Sequence, residues 1–233
     1  MQIVILCGGL ATRLYPLTKK IPKSMVKVGK KPFLELQLEL IKKNGIVDIV
    51  LCIGYKGKQI KDYFGDGKKW GLKIKYSCDG KKLLGTGGAL KKAEPLLEDV
   101  FLVMWGDSYL PFNFQRAIDF FKKNDKLALM TVYKNENRIE PSNVEIRGNL
   151  VKAYSKKRKT KNMKYIDYGL SIFKKEVLKY IPKNKFYDLS KLNQLLIRKK
   201  QLLAFPVKRR FYQIGNFVGL EEFKRVDKIF KKN

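Results

Sequence analysis

A three-layer α/β sandwich on a mixed, mostly parallel central sheet is predicted for this chain, from three observations. Short apolar runs alternate with amphipathic helical stretches through the first half, the pattern of a parallel sheet covered on both faces. Strand-like runs then follow one another with only turn signals between them, so part of the sheet becomes antiparallel. The 233 residues, 45% hydrophobic and 12% aromatic, suffice for one sizeable core, and a single domain over 1–233 is expected.

The elements follow in order. Ile3, Val4, Ile5 and Leu6 read as a buried strand, and Gly8 and Gly9 come directly after it. Pro32 suits the first turn of a helix over 33–43, whose stripe is Leu34, Leu38 and Ile41 and which Gly45 closes. A strand over 47–53, a helix over 58–64 and a strand over 72–76 come next. Gly85 opens a helix expected to reach residue 97. Residues 100–105 are a further apolar strand, followed at once by Gly106, Asp107 and Ser108. Phe114, Ala117, Ile118 and Phe121 mark another helix. Strands are expected over 127–133, 143–147, 151–155 and 165–173, with a turn at Gly148 and Asn149. Helices over 175–180, 189–199 and 220–230 and a strand over 202–207 complete the chain. The basic run 156–164 lies between two expected strands, which suggests a hairpin or flap.

Composition narrows the function. No apolar stretch approaches the length of a membrane span. The N-terminal strand lacks the charged start of a signal peptide. Cys7, Cys52 and Cys78 are odd in number, not spaced as metal ligands, and lie in or beside strands. They read as reduced thiols of a cytoplasmic protein. A net charge of +30 raises nucleic-acid binding as a possible activity. Lysines spread over every helical surface favour instead a general lysine bias, which still draws anionic substrates. There is no histidine, so a histidine base or metal ligand is excluded.

The chemistry begins after the first strand. Gly8 and Gly9 let backbone N–H groups approach an anion, because no Cβ stands in the way. Arg13 offers a fixed fork of donors for a phosphate. Lys23, beside Pro22, offers a point charge. Together these make a polyphosphate site, although neither a Walker loop nor a G-x-G-x-x-G fingerprint is present. Gly85, Gly87 and Gly88 at a helix start offer bare N–H groups and a positive dipole end, as would a plain N-cap turn. Asp107, just past a strand end, suits Mg²⁺, which needs few carboxylates and takes phosphate oxygens for the rest of its shell. A helix N-cap is the alternative for such an aspartate.

The run from Leu6 to Ser24 resembles the signature of the nucleotidyltransferases that join a nucleoside triphosphate to a sugar 1-phosphate, roughly L-x-G-G-x-G-T-R-L-x-P-L-T-x-x-x-P-K-P. It departs at Ala11, where glycine is usual, and at Ser24, where proline is usual. Gly85-Thr-Gly-Gly-Ala-Leu90 is closest in form to the bacterial heptose 1-phosphate guanylyltransferase branch. The resemblance implies a Rossmann-like fold, with a nucleotide half over 1–110 and an inserted sugar pocket and lid within 111–233. It implies that Leu6, Gly8, Gly9, Arg13, Lys23, Gly85, Gly87 and Gly88 meet the nucleotide, with Arg13, Lys23 and Asp107 catalytic. It implies Mg²⁺ on Asp107. Lys156 would grip the phosphate of the sugar substrate, although Ser155 stands where an acid is usual before it. Asp167 and Gly169 would line the sugar pocket. Gln213 stands where an acidic second metal ligand is usual. The implied partners are an NTP and a sugar 1-phosphate, with GTP slightly ahead of CTP or UTP, for cell-surface glycan synthesis. Nucleic acid is not the expected partner, and monomer and homodimer stay open. A nucleotide-binding homologue of low activity is the alternative that Ala11 and Gln213 raise.

Overall fold

The structure is a computed structural model that describes residues 1–80 and 82–230. Its strands are β1 (Gln2–Leu6), β2 (Lys27–Val28), β3 (Lys31–Pro32), β4 (Asp48–Ile53), β5 (Lys73–Cys78), β6 (Val100–Trp105) and β7 (Ser108–Tyr109). They continue with β8 (Ala128–Lys134), β9 (Val144–Arg147), β10 (Leu150–Tyr154), β11 (Tyr165–Lys174), β12 (Leu202–Val207) and β13 (Tyr212–Gln213). The helices are α1 (Phe33–Lys43), α2 (Gly57–Phe64), α3 (Gly85–Lys92), α4 (Phe114–Lys122), α5 (Leu189–Arg198) and α6 (Phe217–Phe230).

Among the described residues, nine strands form one sheet in the order β5-β4-β1-β6-β11-β8-β12-β10-β9. All run in one direction except β10 and β11. Alternation along the strands sends side chains to two faces. Ile3, Ile5, Ile49, Leu51, Leu102 and Met104 pack with α1, α2 and α4 on one face. Val4, Val50, Cys52, Phe101 and Val103 pack with α3 and α5 on the other. A third apolar cluster joins α6 to Leu14, Val26, Val28 and Phe33.

The topology places a crevice. From β1 the chain crosses to β4 on one side, and from β5 it returns to β6 on the other side of β1. Ligands of such sheets bind at this switch point, beyond the carboxyl ends of the strands.

Several expected elements differ. The helix opened by Gly85 stops at Lys92 and gives way to a 3-10 turn over Glu94–Leu96. Pro95 is the reason, since the residue before a proline is pushed out of α geometry. Lys175–Tyr180 is likewise a 3-10 stretch. The run 156–164 is no hairpin: β10 and β11 do not pair with each other, and the loop joins the end of β10 to the start of β11, which both pair with Val144 of β9. The two-residue strands β2, β3, β7 and β13 are too short to leave a periodic signal.

Candidate active site

A cavity of about 350 Å³ opens at the switch point. Leu6, Cys7, Gly8 and Gly9 from the end of β1 line it, with Cys52 from β4, Asp79 after β5 and Trp105, Gly106 and Asp107 after β6. Lys23, Leu83, Gly85, Thr86, Ala89 and Phe186 complete much of the wall.

The glycine loop divides its work. Gly8 crosses Gly54 so closely that its carbonyl would lie 2.8 Å from a Cβ there, whereas Gly9 has open space in front of it. Ala11 holds φ at 54°, the left-handed region. The resemblance places a glycine here because an L side chain is strained in that conformation. Ser24, the other departure, is buried beside Cys7. Burial pushes the Cys7 thiol up to about 12, and Cys52 is raised by burial as well. Both thiols are therefore neutral walls rather than nucleophiles.

Asp107 is fixed from several sides. Buried Gln37 of α1 donates to the carbonyls of Trp105, at 3.0 Å, and Ser108, at 2.7 Å, which bracket it. The backbone N–H of Ile214 donates to the Asp107 carbonyl at 2.9 Å. The Asp107 Oδ2 accepts from Lys23 Nζ at 2.5 Å, and Oδ1 from the Ser108 hydroxyl at 3.3 Å. Burial pushes the carboxyl up, but Lys23, Ser108 and Arg13 more than offset it, so it lies below its ordinary value. Asp107 caps no helix; the pairing of β7 with β13 follows it directly.

That pairing brings Gln213 opposite Ser108 and so next to Asp107. The Gln213 Oε1 accepts from the backbone N–H of Gly215, and its Nε2 donates to Glu140 at 3.2 Å. The Arg13 guanidinium stands 3.3 Å from where a Cβ on Gly215 would lie. Arg13, Lys23, Asp107 and Gln213, separated by up to 200 positions, thus meet.

Gly87 and Gly88 are a correction. Their N–H groups donate to the Tyr187 carbonyl at 2.8 and 3.1 Å, so they are not free for a ligand, and neither residue lines the cavity. A Cβ at Gly87 would meet the Tyr187 ring at 2.7 Å, and one at Gly88 the Lys185 carbonyl at 2.6 Å. These glycines admit the 183–188 segment against the start of α3. Gly85, with φ at 72°, stays in the cavity wall under the Phe186 ring.

On the side of the second half, β11 carries a bulge between Asp167 and Ser171, where Gly169 takes φ 107°. Bulges re-aim side chains. Asp167 Oδ1 accepts from the Gly169 N–H at 3.0 Å, and Oδ2 from the Tyr154 hydroxyl at 3.4 Å. Burial raises the Asp167 carboxyl, against Lys156, Gly169, Trp105 and Tyr154. Gly169 packs against Trp105 and Ser108, whose side-chain atoms would lie 3.1 to 3.3 Å from a Cβ there. Lys156 Nζ sits over the Trp105 ring, 5.1 Å from its centroid, and also acts on Asp188. Ser155, in the place of an acid, accepts from the N–H groups of Lys157 and Arg158. Sequence reasoning missed Asp79, Trp105, Phe186 and Asp188. Only Asp188 carried a local signal, as the N-cap of α5.

Among the described residues no group of three or more His, Cys, Asp or Glu is placed to hold a metal. A hard cation shared with a triphosphate asks for less: one or two carboxylates suffice when phosphates and waters fill the shell. Asp107 offers one, so the donor set fits. No helix is long and apolar enough to cross a membrane among the described residues.

The nucleotidyl transferase family model matches residues 2–227. The chain belongs to this family. A D-glycero-alpha-D-manno-heptose 1-phosphate guanylyltransferase from Campylobacter jejuni is 44% identical over 116 residues, 50% of this chain and 52% of that protein. A UTP–glucose-1-phosphate uridylyltransferase from Synechocystis is 30% identical over 205 residues, 81% of this chain and 53% of that protein. The match thus spans about half the length of either curated relative. The solved structure of HddC from Yersinia pseudotuberculosis complexed with GMP-PN is 27% identical, with a TM-score of 0.81 over 97% of this chain and 98% of that one. The nucleotidyl transferase fold and its mixed sheet are therefore shared.

Proposed function

We propose that this chain transfers a nucleoside monophosphate from an NTP to a sugar 1-phosphate and releases pyrophosphate. The observation that carries the reading is the cavity at the switch point, with Lys23 and Asp107 in its wall and Arg13 beside them. One phosphate oxygen of the sugar substrate attacks the α-phosphorus, and the bond from that phosphorus to the bridging oxygen breaks. Pyrophosphate leaves with the electron pair. The nucleophile has its second pKa near 6 and is ionised at neutral pH, so a chain without histidine needs no general base.

Each side chain has a place in this scheme. The Gly8–Gly9 backbone and Gly85 receive the nucleotide. Lys23 stabilises charge growing at the α-phosphorus, and Arg13 holds the leaving pyrophosphate. Lys156, held over Trp105, steers the incoming phosphate, and Asp167 takes sugar hydroxyls. Mg²⁺ held by Asp107 would neutralise charge on the α- and β-phosphates. Gln213 adds at most a neutral ligand, since its amide oxygen already accepts from Gly215. The names of the relatives span guanylyl and uridylyl transfer; GTP is the favoured donor on the strength of the more identical one. A sugar nucleotide for cell-surface glycan synthesis, made in the cytoplasm, is the expected product.

The test is pyrophosphate release from each of the four NTPs with Mg²⁺ and a panel of hexose and heptose 1-phosphates. Turnover that requires both substrates supports the reading. NTP binding without turnover on any sugar phosphate overturns it in favour of a binding homologue.

A further inference from the structure

One buried hydroxyl in the cavity wall has no use within the fold. Ser24 is 2% exposed and lines the cavity beside Lys23. Its Oγ makes no hydrogen bond with any described residue. The Cys7 thiol stands next to it, but burial keeps that thiol neutral, and sulfur is a weak partner. A buried hydroxyl without a partner costs stability, and a ligand that supplies one removes the cost. By the resemblance proline is usual here, and proline has no hydroxyl to offer. The donor is therefore something this chain adds.

The local fold puts Ser24 and Lys23 on one wall. Both sit in a single 3-10 turn, Lys23–Met25, that opens behind Pro22. The Met25 N–H donates to the Pro22 carbonyl at 2.9 Å, and the Val26 N–H to the Lys23 carbonyl at 3.0 Å. Neighbouring side chains in such a turn stand about 120° apart, so the ammonium and the hydroxyl occupy adjacent sectors. Lys23 reaches out to Asp107, while Ser24 packs beside Cys7 at the end of β1. Cys7 in turn feels the charges of Lys23 and Asp107. The Ser24 hydroxyl thus belongs to the phosphate end of the cavity.

Charge narrows the ligand. A hydroxyl can donate one hydrogen bond or accept with its lone pairs. A cation would use the lone pairs, but the Lys23 ammonium, one residue away, opposes a cation at Ser24 itself. An anionic oxygen takes the donor instead, and Lys23 attracts it. We infer that the Ser24 hydroxyl donates to a non-bridging oxygen of the nucleotide α-phosphate, the group whose developing charge Lys23 meets. The inference rests on the nucleotidyl transfer proposed above and adds a phosphate ligand to it.

The experiment compares wild type with Ser24→Ala and Ser24→Pro. Calorimetry measures binding of GTP, GDP, GMP and guanosine without Mg²⁺ or sugar phosphate. The three nucleotides should each bind about tenfold more weakly to Ser24→Ala, and guanosine as to wild type. Ser24→Pro, which carries no hydroxyl either, should lose the same factor. UTP, UDP and UMP should show the same ratio, because a phosphate contact is blind to the base. Without ligand, Ser24→Ala should melt no lower than wild type, since an unpaired hydroxyl is removed and no partner is stranded. A purely structural role would lower stability and affinity together. In turnover, kcat/KM for GTP should fall by the same factor, while the Mg²⁺ concentration for half-maximal rate stays put. Unchanged nucleotide affinity in Ser24→Ala overturns the inference. So does an equal loss for guanosine, a loss for GTP without one for GMP, or a lower melting temperature. If no NTP releases pyrophosphate, the proposed function fails, and the binding series alone decides the role of Ser24.

Discussion

Asp107→Asn should abolish turnover at a modest cost in stability, and the two effects can be sized separately. Asp107 lies 2.5 Å from Lys23 Nζ, and the two side chains are 24% and 22% exposed. The substitution leaves the Lys23 ammonium facing a neutral amide. Breaking a fully buried ion pair costs about 3–5 kcal/mol. Water reaches this pair, so about 1–2 kcal/mol is the reasonable share. For a chain of this size that lowers the Tm by about 2–8 °C. The catalytic loss is larger, because the one carboxylate that fits the cation is gone. Several kcal/mol of transition-state stabilisation, taken as about 4, corresponds to about 1,000-fold in kcat/KM. Thermal melting and pyrophosphate release measure the two effects, and NTP binding without metal should persist. Adding Lys23→Met removes the unpaired ammonium, so the double variant should melt no lower than Asp107→Asn. Activity of Asp107→Asn within tenfold of wild type would refute the metal assignment.

Ala11→Gly should stabilise the chain. The left-handed conformation at φ 54° costs alanine about 1–2 kcal/mol, and the looser unfolded chain of glycine returns about 0.4–1 kcal/mol of that. A urea midpoint that falls instead contradicts strain at this residue. Gln213→Glu keeps an acceptor for the Gly215 N–H and adds a charge beside Asp107 and Glu140, so the Mg²⁺ concentration for half-maximal rate should drop. An unchanged midpoint ends the second-ligand reading. Neutralising Lys157, Arg158, Lys159 and Lys161 should raise the KM for sugar phosphate mainly at low salt, if their loop closes over that substrate. Unchanged kinetics at low ionic strength show a solvated loop. Because Asp107 titrates below its ordinary value in the folded chain, its stabilisation is present above the unfolded pKa and lost as pH falls through the folded one. Wild type should therefore lose its Tm advantage over Asp107→Asn below about pH 4, and parallel pH profiles would contradict the pairing.

What was legible in the sequence was local. The strand before Gly8, the helix behind Pro32 and the apolar run before Asp107 each carried its own period or cap, and the structure has all three. What stayed hidden was long-range. The start of α3 reads as an open anion site until the Tyr187 carbonyl, 100 residues later, takes the N–H groups of Gly87 and Gly88. Asp79, in Cys78-Asp79-Gly80, looks like a turn residue; only the sheet order shows that it ends in the same cavity as Asp107. The β7–β13 pair is two residues long, below any periodic signal, yet it decides what stands beside Asp107.

That pair also gives the Gln213 departure a physical meaning. A carboxylate at this position would face Asp107 across β7 and add a second negative charge beside the phosphate end. The amide adds none, and its oxygen is already committed to Gly215. The local balance therefore tilts toward the cations, with Arg13 next to Gly215 and Lys23 on Asp107. The whole chain tilts the same way, at +30. In such a site more of the polyphosphate charge falls to fixed side chains and less to a tightly held metal. Removing Arg13 or Lys23 should consequently be felt more than weakening the metal, and Lys23 more in kcat than in KM if it meets charge only as it develops. A Lys23→Ala defect confined to the KM for NTP would make the residue a ground-state binder, and the proposed division of labour would have to be withdrawn.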